Sequence, residues 1–251
     1  MSSFVKVTER EFYTEISFFT EQSNSLPSDI LQQLAEKINE VSISVKKNII
    51  LLKSEGEKAF CAGASFEELS LIDNLDQGIQ FFSGFSQVIL ALKKSPKIVI
   101  GRIHGKAVGG GVGLAAACDY SMATHYSSVR LSELAVGIGP FVIGPAVERK
   151  IGISAFTKMA LNATEWQTAD WAKQNNLFHE VFQTTEQLDQ YIESFCSILA
   201  NSNPEALSEL KCVFWQGTTH WEELMKERAA ISGKLVLSQF TKNAIAKFKQ
   251  K

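Results

Sequence analysis

The sequence has no excess of charge of either sign and no long apolar run. Its 251 residues include 25 Lys and Arg against 27 Asp and Glu, a formal net charge of -2. A balance this even provides no global field that would attract phosphate backbones or anionic lipids. No stretch reaches the roughly 18 uninterrupted apolar residues of a membrane-spanning helix. We therefore expect neither nucleic acid nor a membrane as a partner.

Cysteines are also few, and their spacing is unlike that of metal ligands. The sequence has no CxxC pair and no histidine at metal-ligand spacing from any of Cys61, Cys118, Cys196 and Cys212. This spacing favours neither a zinc site nor a disulfide framework, so we expect no metal and a reducing compartment. The opening residues, MSSFVKVTEREFY, lack the basic stretch and apolar run of a secretory signal. Together these features predict a cytoplasmic location.

Strand-like and helix-like apolar patterns alternate along the first half of the chain. Short apolar, β-branched runs predict buried strands, and apolar residues at helical spacing predict amphipathic helices between them. The alternation is typical of an α/β fold with parallel crossovers. The predicted elements are a hairpin over 4–8 and 13–19, helices over 30–41 and 76–94, and strands over 48–52 and 97–103.

After Gly139 the pattern becomes mostly helical. Two helices have recognisable starts, a Thr184-x-x-Gln187 capping box and Asn203 as N-cap. From Ala229 onward there are five lysines and no acidic residue, which predicts a basic C-terminal helix. The helices predicted before it cover 146–150, 154–161, 168–174, 186–199 and 204–215.

A glycine cluster, Gly109-Gly110-Gly111-Val112-Gly113, lies between a predicted strand and a predicted helix. The dinucleotide-binding pattern GxGxxG does not fit it in any register, which argues against an NAD site. A backbone N–H at the start of the helix could instead face a substrate oxygen. The alternative, that the glycines serve only tight strand–helix packing, stays open at this point.

One carboxylate, Glu133, lies in the apolar setting LSELAVGIG. Partial loss of solvent in such surroundings raises a carboxyl pKa toward the range useful for proton transfer. The alternative is an exposed glutamate in a turn. None of the four histidines has a partner pattern, and no serine lies in a GxSxG setting.

Three motifs together resemble the crotonase superfamily, the enoyl-CoA hydratase/isomerase group. They read EKAFCAGASFEEL, IHGKAVGGGVGLAAACDYSMAT and LSELAVGIGP. The resemblance implies a ββα spiral with a C-terminal helical trimerisation region, which would divide the chain into 1–196 and 197–251. It also implies a homotrimer or dimer of trimers that acts on acyl-CoA thioesters. No cofactor is expected, because coenzyme A is part of the substrate.

The resemblance also assigns roles to single residues. Ala64 and Gly110 match the two backbone donors of the family's oxyanion hole, and Glu133 matches the second of its two catalytic glutamates. Gly113 stands where hydratases have the first. The remaining expected substrate contacts are Lys58 and Ala62, Ser65 in place of the usual aspartate, Phe66, Gly113, Phe141 after Pro140, and Phe248 and Lys251 near the adenine end.

A site with one glutamate, Glu133, and a glycine at 113 resembles the site of the family's enoyl-CoA isomerases. Moving a double bond needs one base that removes a proton at C2 and returns it at C4. Hydration also needs a positioned water, which two glutamates hold. The leading hypothesis is therefore an isomerase. Two alternatives are a hydratase for a branched or dicarboxylic substrate such as methylglutaconyl-CoA, with Glu67 or Glu68 replacing the missing group, and an inactive acyl-CoA-binding protein.

Overall fold

The computed structural model describes residues 2–249, with side chains as far as Lys247. The strands in this part are β1 (Phe4–Glu9), β2 (Thr14–Phe19), β3 (Ser25–Leu26), β4 (Ile49–Ser54), β5 (Ala59–Cys61), β6 (Gly63–Ala64), β7 (Ile98–Ile103), β8 (Lys106–Val108), β9 (Tyr120–Thr124), β10 (Ser128–Arg130), β11 (Gln167–Thr168) and β12 (Glu180–Phe182).

The helices are α1 (Ser28–Ile43), α2 (Phe66–Leu69), α3 (Leu75–Lys94), α4 (Gly110–Ala117), α5 (Gly144–Leu161), α6 (Ala169–Gln174), α7 (Thr185–Ala200), α8 (Pro204–Phe214), α9 (Trp221–Val236) and α10 (Gln239–Lys249). A 3-10 helix spans Glu133–Val136. No helix within residues 2–249 combines the length and apolar character needed to cross a bilayer.

The larger sheet has six strands in the order β1-β2-β4-β7-β9-β12. Only the β1–β2 hairpin is antiparallel, and every later pairing in this sheet is parallel. All six residues of β7 are buried, as in strands of a parallel sheet that is covered on both faces. The predicted hairpin and the predicted α/β class with parallel crossovers are therefore confirmed.

A second sheet of four strands has the order β11-β10-β8-β5, and β3 pairs with β6. Each of its three parallel strands follows a strand of the larger sheet, so that β4 leads to β5, β7 to β8 and β9 to β10. In register, Ala107 of β8 lies between Cys61 of β5 and Val129 of β10. Because the carboxyl ends of parallel strands meet at one edge, three sequence-distant turns come together there.

Helix starts follow the predicted capping chemistry. Thr184 Oγ1 accepts a hydrogen bond from Gln187 N at 3.3 Å, and Asn203 Oδ1 accepts one from Glu205 N at 2.9 Å. Both interactions satisfy an N–H group that the first turn of a helix leaves without an intrahelical partner. The predicted N-caps of α7 and α8 are confirmed.

The C-terminal region differs from the single basic helix predicted from Ala229 onward. α9 begins earlier, at Trp221, and ends at Val236, and α10 begins after a break. Ser238 Oγ accepts a hydrogen bond from Thr241 N, which starts the new helix. α9 packs closely on α3, since a Cβ built on Gly78 would lie 2.8 Å from Gly233 Cα. The charge composition of this segment does not indicate the break between α9 and α10.

Candidate active site

A cavity of about 500 Å³ lies where the turns after β5, β8 and β10 meet. Its wall is mainly apolar, and five phenylalanines contribute to it: Phe66, Phe81, Phe82, Phe85 and Phe141. Within the described residues, Glu133 is its one acidic side chain and Arg130 its one basic side chain. A cavity with this lining suits an apolar ligand that is held by a few polar groups. No group of three or more His, Cys, Asp or Glu within residues 2–249 could hold a metal ion.

Two glycine-containing turns touch at the cavity wall. A Cβ built on Gly63, whose φ is +96°, would lie 3.1 Å from Val108 O and 3.9 Å from Gly110 N. Gly110 is the first residue of α4, so its N–H has no acceptor within the helix. The positive end of the helix dipole lies at the same point. A substrate oxygen at this wall would therefore meet a backbone donor at a helix start.

Ala64 also lines the cavity, in the short strand β6 beside β3. Its carbonyl oxygen accepts a hydrogen bond from Ser25 Oγ at 2.9 Å, and this bond holds β6 against β3. The loop before β3 is held by the buried amide of Asn24, which donates to Glu55 O and Ala59 O and accepts from Thr20 N. Ala64 and Gly110, predicted as a pair, thus lie on the same cavity.

Glu133 begins the 3-10 helix and faces the same turn. A Cβ built on Gly109 would lie 2.7 Å from Glu133 Oε1, so the carboxylate lies against the backbone just before Gly110. Glu133 Oε2 is buried and has no hydrogen-bond partner among the described residues. Burial raises the pKa of this carboxyl to about 7, although the charge of Arg130 acts in the opposite direction. A carboxylate with this pKa can both accept and return a proton near neutral pH.

Gly113 does not line the cavity. A Cβ built on it would lie 2.6 Å from Ile143 Cγ2, so Ile143 fills the space into which a side chain at 113 would extend. Ile143 itself does line the cavity. An aliphatic side chain therefore fills the space that the first glutamate of a hydratase would occupy, according to the resemblance. Gly113, expected to contact substrate, is screened from the cavity by it.

The other predicted contact residues divide into two groups. Ala62, Phe66 and Phe141 lie on the cavity wall. Ser65 is buried outside it, as the N-cap of α2 with Oγ accepting from Glu68 N at 3.3 Å, and Lys58 is exposed in the loop between β4 and β5. The side chain of Phe248 and the whole of Lys251 lie outside the described residues.

Neither alternative carboxylate reaches the cavity. Glu67 is exposed on α2. Glu68 accepts hydrogen bonds from the backbone N–H of Ser28, at 3.0 Å, and from its hydroxyl, at 2.7 Å. The Glu68 carboxylate therefore stabilises the start of α1.

Among the residues of this wall that the sequence did not indicate are Phe85, Arg130 and Ile143. The ring of Phe85 packs directly against Gly110, and Ile143 packs over Gly113. Both come from elements distant in sequence from the glycines they cover, so no local pattern indicates them. Arg130 had a local signal, a single cation three residues before Glu133.

Comparisons with known proteins place the chain in a family. The family model for enoyl-CoA hydratase/isomerase matches residues 15–250. The Bacillus subtilis protein YngF, named as an enoyl-CoA hydratase/isomerase, is 31% identical over 196 residues, which are 78% of this chain and 74% of that protein. Human mitochondrial methylglutaconyl-CoA hydratase is 30% identical over 141 residues, covering 56% of this chain and 41% of its own length.

A solved structure of enoyl-CoA hydratase from Bacillus halodurans superposes with a TM-score of 0.89. The superposition covers 98% of this chain and 100% of that one at 21% identity, which establishes a shared fold. The ββα architecture with a helical C-terminal region is therefore the crotonase fold. From the family match over nearly the whole chain, the protein belongs to the enoyl-CoA hydratase/isomerase family of the crotonase superfamily.

Proposed function

We propose that this protein is an enoyl-CoA isomerase, which moves a double bond from C3–C4 to C2–C3 of an acyl-CoA thioester. The observation that supports this most directly is the single carboxylate on the described cavity wall, Glu133. The space beside Gly113 is filled by Ile143, so no second carboxylate can extend from that position without displacing it.

The reaction proceeds through an enolate of the thioester. The backbone N–H groups of Ala64 and Gly110 bind the carbonyl oxygen as negative charge develops on it. Glu133 removes a proton from C2, and the C2–H electron pair forms the C1–C2 double bond of the enolate. As the carbonyl re-forms, a double bond forms between C2 and C3, and C4 takes the proton back from the same carboxyl. One donor of such an oxyanion hole typically contributes ~10²–10³ in turnover. The sequence of steps involves no net oxidation, so we propose that no cofactor or metal takes part.

The cavity wall also suggests how substrate is oriented. Phe66 and Phe141 would contact the acyl chain, with Ala62 and Ala64 beside the thioester. At the other end, the exposed Lys58 lies in a loop before β5, where a phosphate of coenzyme A could reach it. Burying the apolar chain against these aromatic rings contributes to binding in proportion to the area removed from water.

Activity should depend on pH through Glu133. Because its pKa is raised to about 7, the fraction of ionised base falls as pH drops below 7. We expect kcat/KM for a 3-enoyl-CoA to be level above about pH 8 and to fall about tenfold per pH unit below pH 6. Initial rates between pH 5 and 9 measure this. A profile that stays level down to pH 5 would show that a carboxyl with an ordinary pKa, or another group, is the base.

A hydratase is the second candidate, favoured by the similarity to methylglutaconyl-CoA hydratase. Hydration adds a water at C3, and within the described residues no carboxylate other than Glu133 lines the cavity to hold that water. Glu67 and Glu68 both point elsewhere. This alternative therefore requires a water held by Glu133 alone or by neutral groups.

Assays of 2-enoyl-CoA and 3-enoyl-CoA esters of equal chain length decide between the candidates. The isomerase proposal expects conversion of the 3-enoyl ester to the 2-enoyl ester, with water addition to the latter at least ~10²-fold slower. Fast water addition without 3-enoyl conversion would identify a hydratase. Binding of the esters without exchange of C2 hydrogens into deuterated water would identify an inactive binding protein.

A further inference from the structure

The isomerase mechanism leaves one charged group of the cavity without a role. Arg130 ends β10 and lines the same cavity as Glu133. Its Nε is buried and has no hydrogen-bond partner among the described residues, and the guanidinium forms no ion pair there. The residue as a whole is half-buried, but a buried N–H donor is costly unless an acceptor satisfies it. The donors of Arg130 are therefore available to a ligand.

The guanidinium is nevertheless held in place. Its Cζ lies 4.4 Å from the centroid of the Trp166 ring, a cation–π contact that orients the planar group. The backbone is fixed as well, because Gly109 N donates to Arg130 O at 2.9 Å. A positioned guanidinium with its N–H groups unused is the geometry that binds carboxylate through two parallel hydrogen bonds.

Glu133 does not satisfy Arg130. The two side chains form no hydrogen bond or ion pair, although both line the cavity. Burial raises the pKa of Glu133 to about 7, although the charge of Arg130 acts to lower it. The guanidinium donors are therefore not used by this carboxylate.

Two parts of an acyl-CoA carry anionic oxygens, the phosphates of coenzyme A and any carboxylate on the acyl chain. Arg130 is three residues from Glu133 and is bonded to the glycine turn that precedes Gly110. Its backbone is therefore fixed beside the turn that would hold the thioester oxygen. The phosphates of coenzyme A are separated from the thioester by the whole pantetheine arm, so an acyl carboxylate is the better partner.

We propose that Arg130 binds a carboxylate at the far end of the acyl chain, so that the preferred substrates are CoA thioesters of dicarboxylic acids. This inference rests on the proposed function only in taking the cavity as the acyl-CoA site. Arg130 selects this class of substrate, and Trp166 positions its guanidinium.

Binding of unreactive, saturated thioesters tests the proposal without relying on turnover. Isothermal titration would compare three pairs of equal chain length: butyryl- and succinyl-CoA, hexanoyl- and adipoyl-CoA, octanoyl- and suberoyl-CoA. For at least one pair we expect the wild-type protein to bind the dicarboxylic ester at least tenfold more tightly, as expected for charge-assisted hydrogen bonds. Arg130→Met should remove that preference and leave the affinity for the monocarboxylic ester within about threefold.

Lys106 provides the matched control. Its Nζ lies 5.1 Å from the centroid of the same Trp166 ring, but Lys106 is exposed and does not line the cavity. Lys106→Met removes a nearby positive charge and should keep the dicarboxylate preference. Arg130→Gln, which retains polarity without charge, replaces Arg130→Met if the latter does not fold, as judged by its thermal unfolding.

Two results would overturn the proposal. One is equal affinity for both members of all three pairs, and the other is a dicarboxylate preference that survives in both Arg130 variants. If the variants instead weaken both members of a pair equally, and the loss disappears with pantetheine thioesters, the partner is a coenzyme A phosphate and the proposal is wrong. Failure of the isomerase assay would leave these binding results unchanged, so the two hypotheses fail separately.

Discussion

Replacing Glu133 with Gln is expected to lower kcat for a 3-enoyl-CoA by at least ~10²-fold, because general acid–base catalysis contributes about 10²–10⁴. The amide has nearly the shape of the carboxylate but cannot take a proton from C2. Acyl-CoA affinity should change little, since the apolar wall and the backbone donors stay in place. Steady-state kinetics and titration with a saturated acyl-CoA measure the two effects separately.

Glu67→Gln is the matched control for this experiment. Glu67 belongs to the same motif region that supplies Ala64, but its side chain is exposed and outside the cavity. The control should retain wild-type kinetics. If Glu133→Gln retained more than about a tenth of the activity, Glu133 would not be the base and the isomerase mechanism would fail.

Replacing Gly109 with Ala is expected to lower kcat/KM by about 10²-fold through displacement of that same carboxylate. The backbone at Gly109 has φ +51°, and an added Cβ would lie 2.7 Å from Glu133 Oε1. The carboxylate must then move or the turn before Gly110 must shift. Either change misplaces the base relative to the oxyanion donors, and misplacement by about 1 Å costs rates of this order.

Gly217→Ala separates this steric effect from backbone strain. Gly217 also has a positive φ, +77°, but a Cβ there would meet nothing within 4 Å. Backbone strain should cost each variant about 1–3 kcal/mol of stability, measured by chemical denaturation, and the clash adds to that loss in Gly109→Ala. Only Gly109→Ala should lose activity in folded protein. A similar activity loss in both variants, or none in Gly109→Ala, would contradict the proposed placement of the carboxylate.

The fold followed closely from local sequence patterns. The helix predicted over 76–94 is α3, Leu75–Lys94, and the strand predicted over 97–103 is β7, Ile98–Ile103. Such elements are predictable because periodic apolar residues and the proline between them act over a few neighbouring positions. The break between α9 and α10 was missed because it depends on one serine cap, which charge composition does not reveal.

The site was predictable only in part. Ala64, Gly110 and Glu133 were predicted from motifs and resemblance, and the structure brings all three to one cavity. Nothing in the sequence indicated that Ile143 fills the space beside Gly113 or that Phe85 covers Gly110. Those contacts join α5 and α3 to α4, and which side chains meet depends on how the helices pack.

By itself the sequence determined the strand and helix order, the two small-residue turns and the carboxylate in an apolar segment, because these follow from short-range periodicity and turn chemistry. The tertiary structure decided which groups share a cavity. The parallel register of β5, β8 and β10 places their turns at one edge, so that Glu133 lies against Gly109 with a raised pKa while Arg130 keeps unused donors. Burial and long-range contacts set those properties, and neither is encoded in any one stretch of the chain.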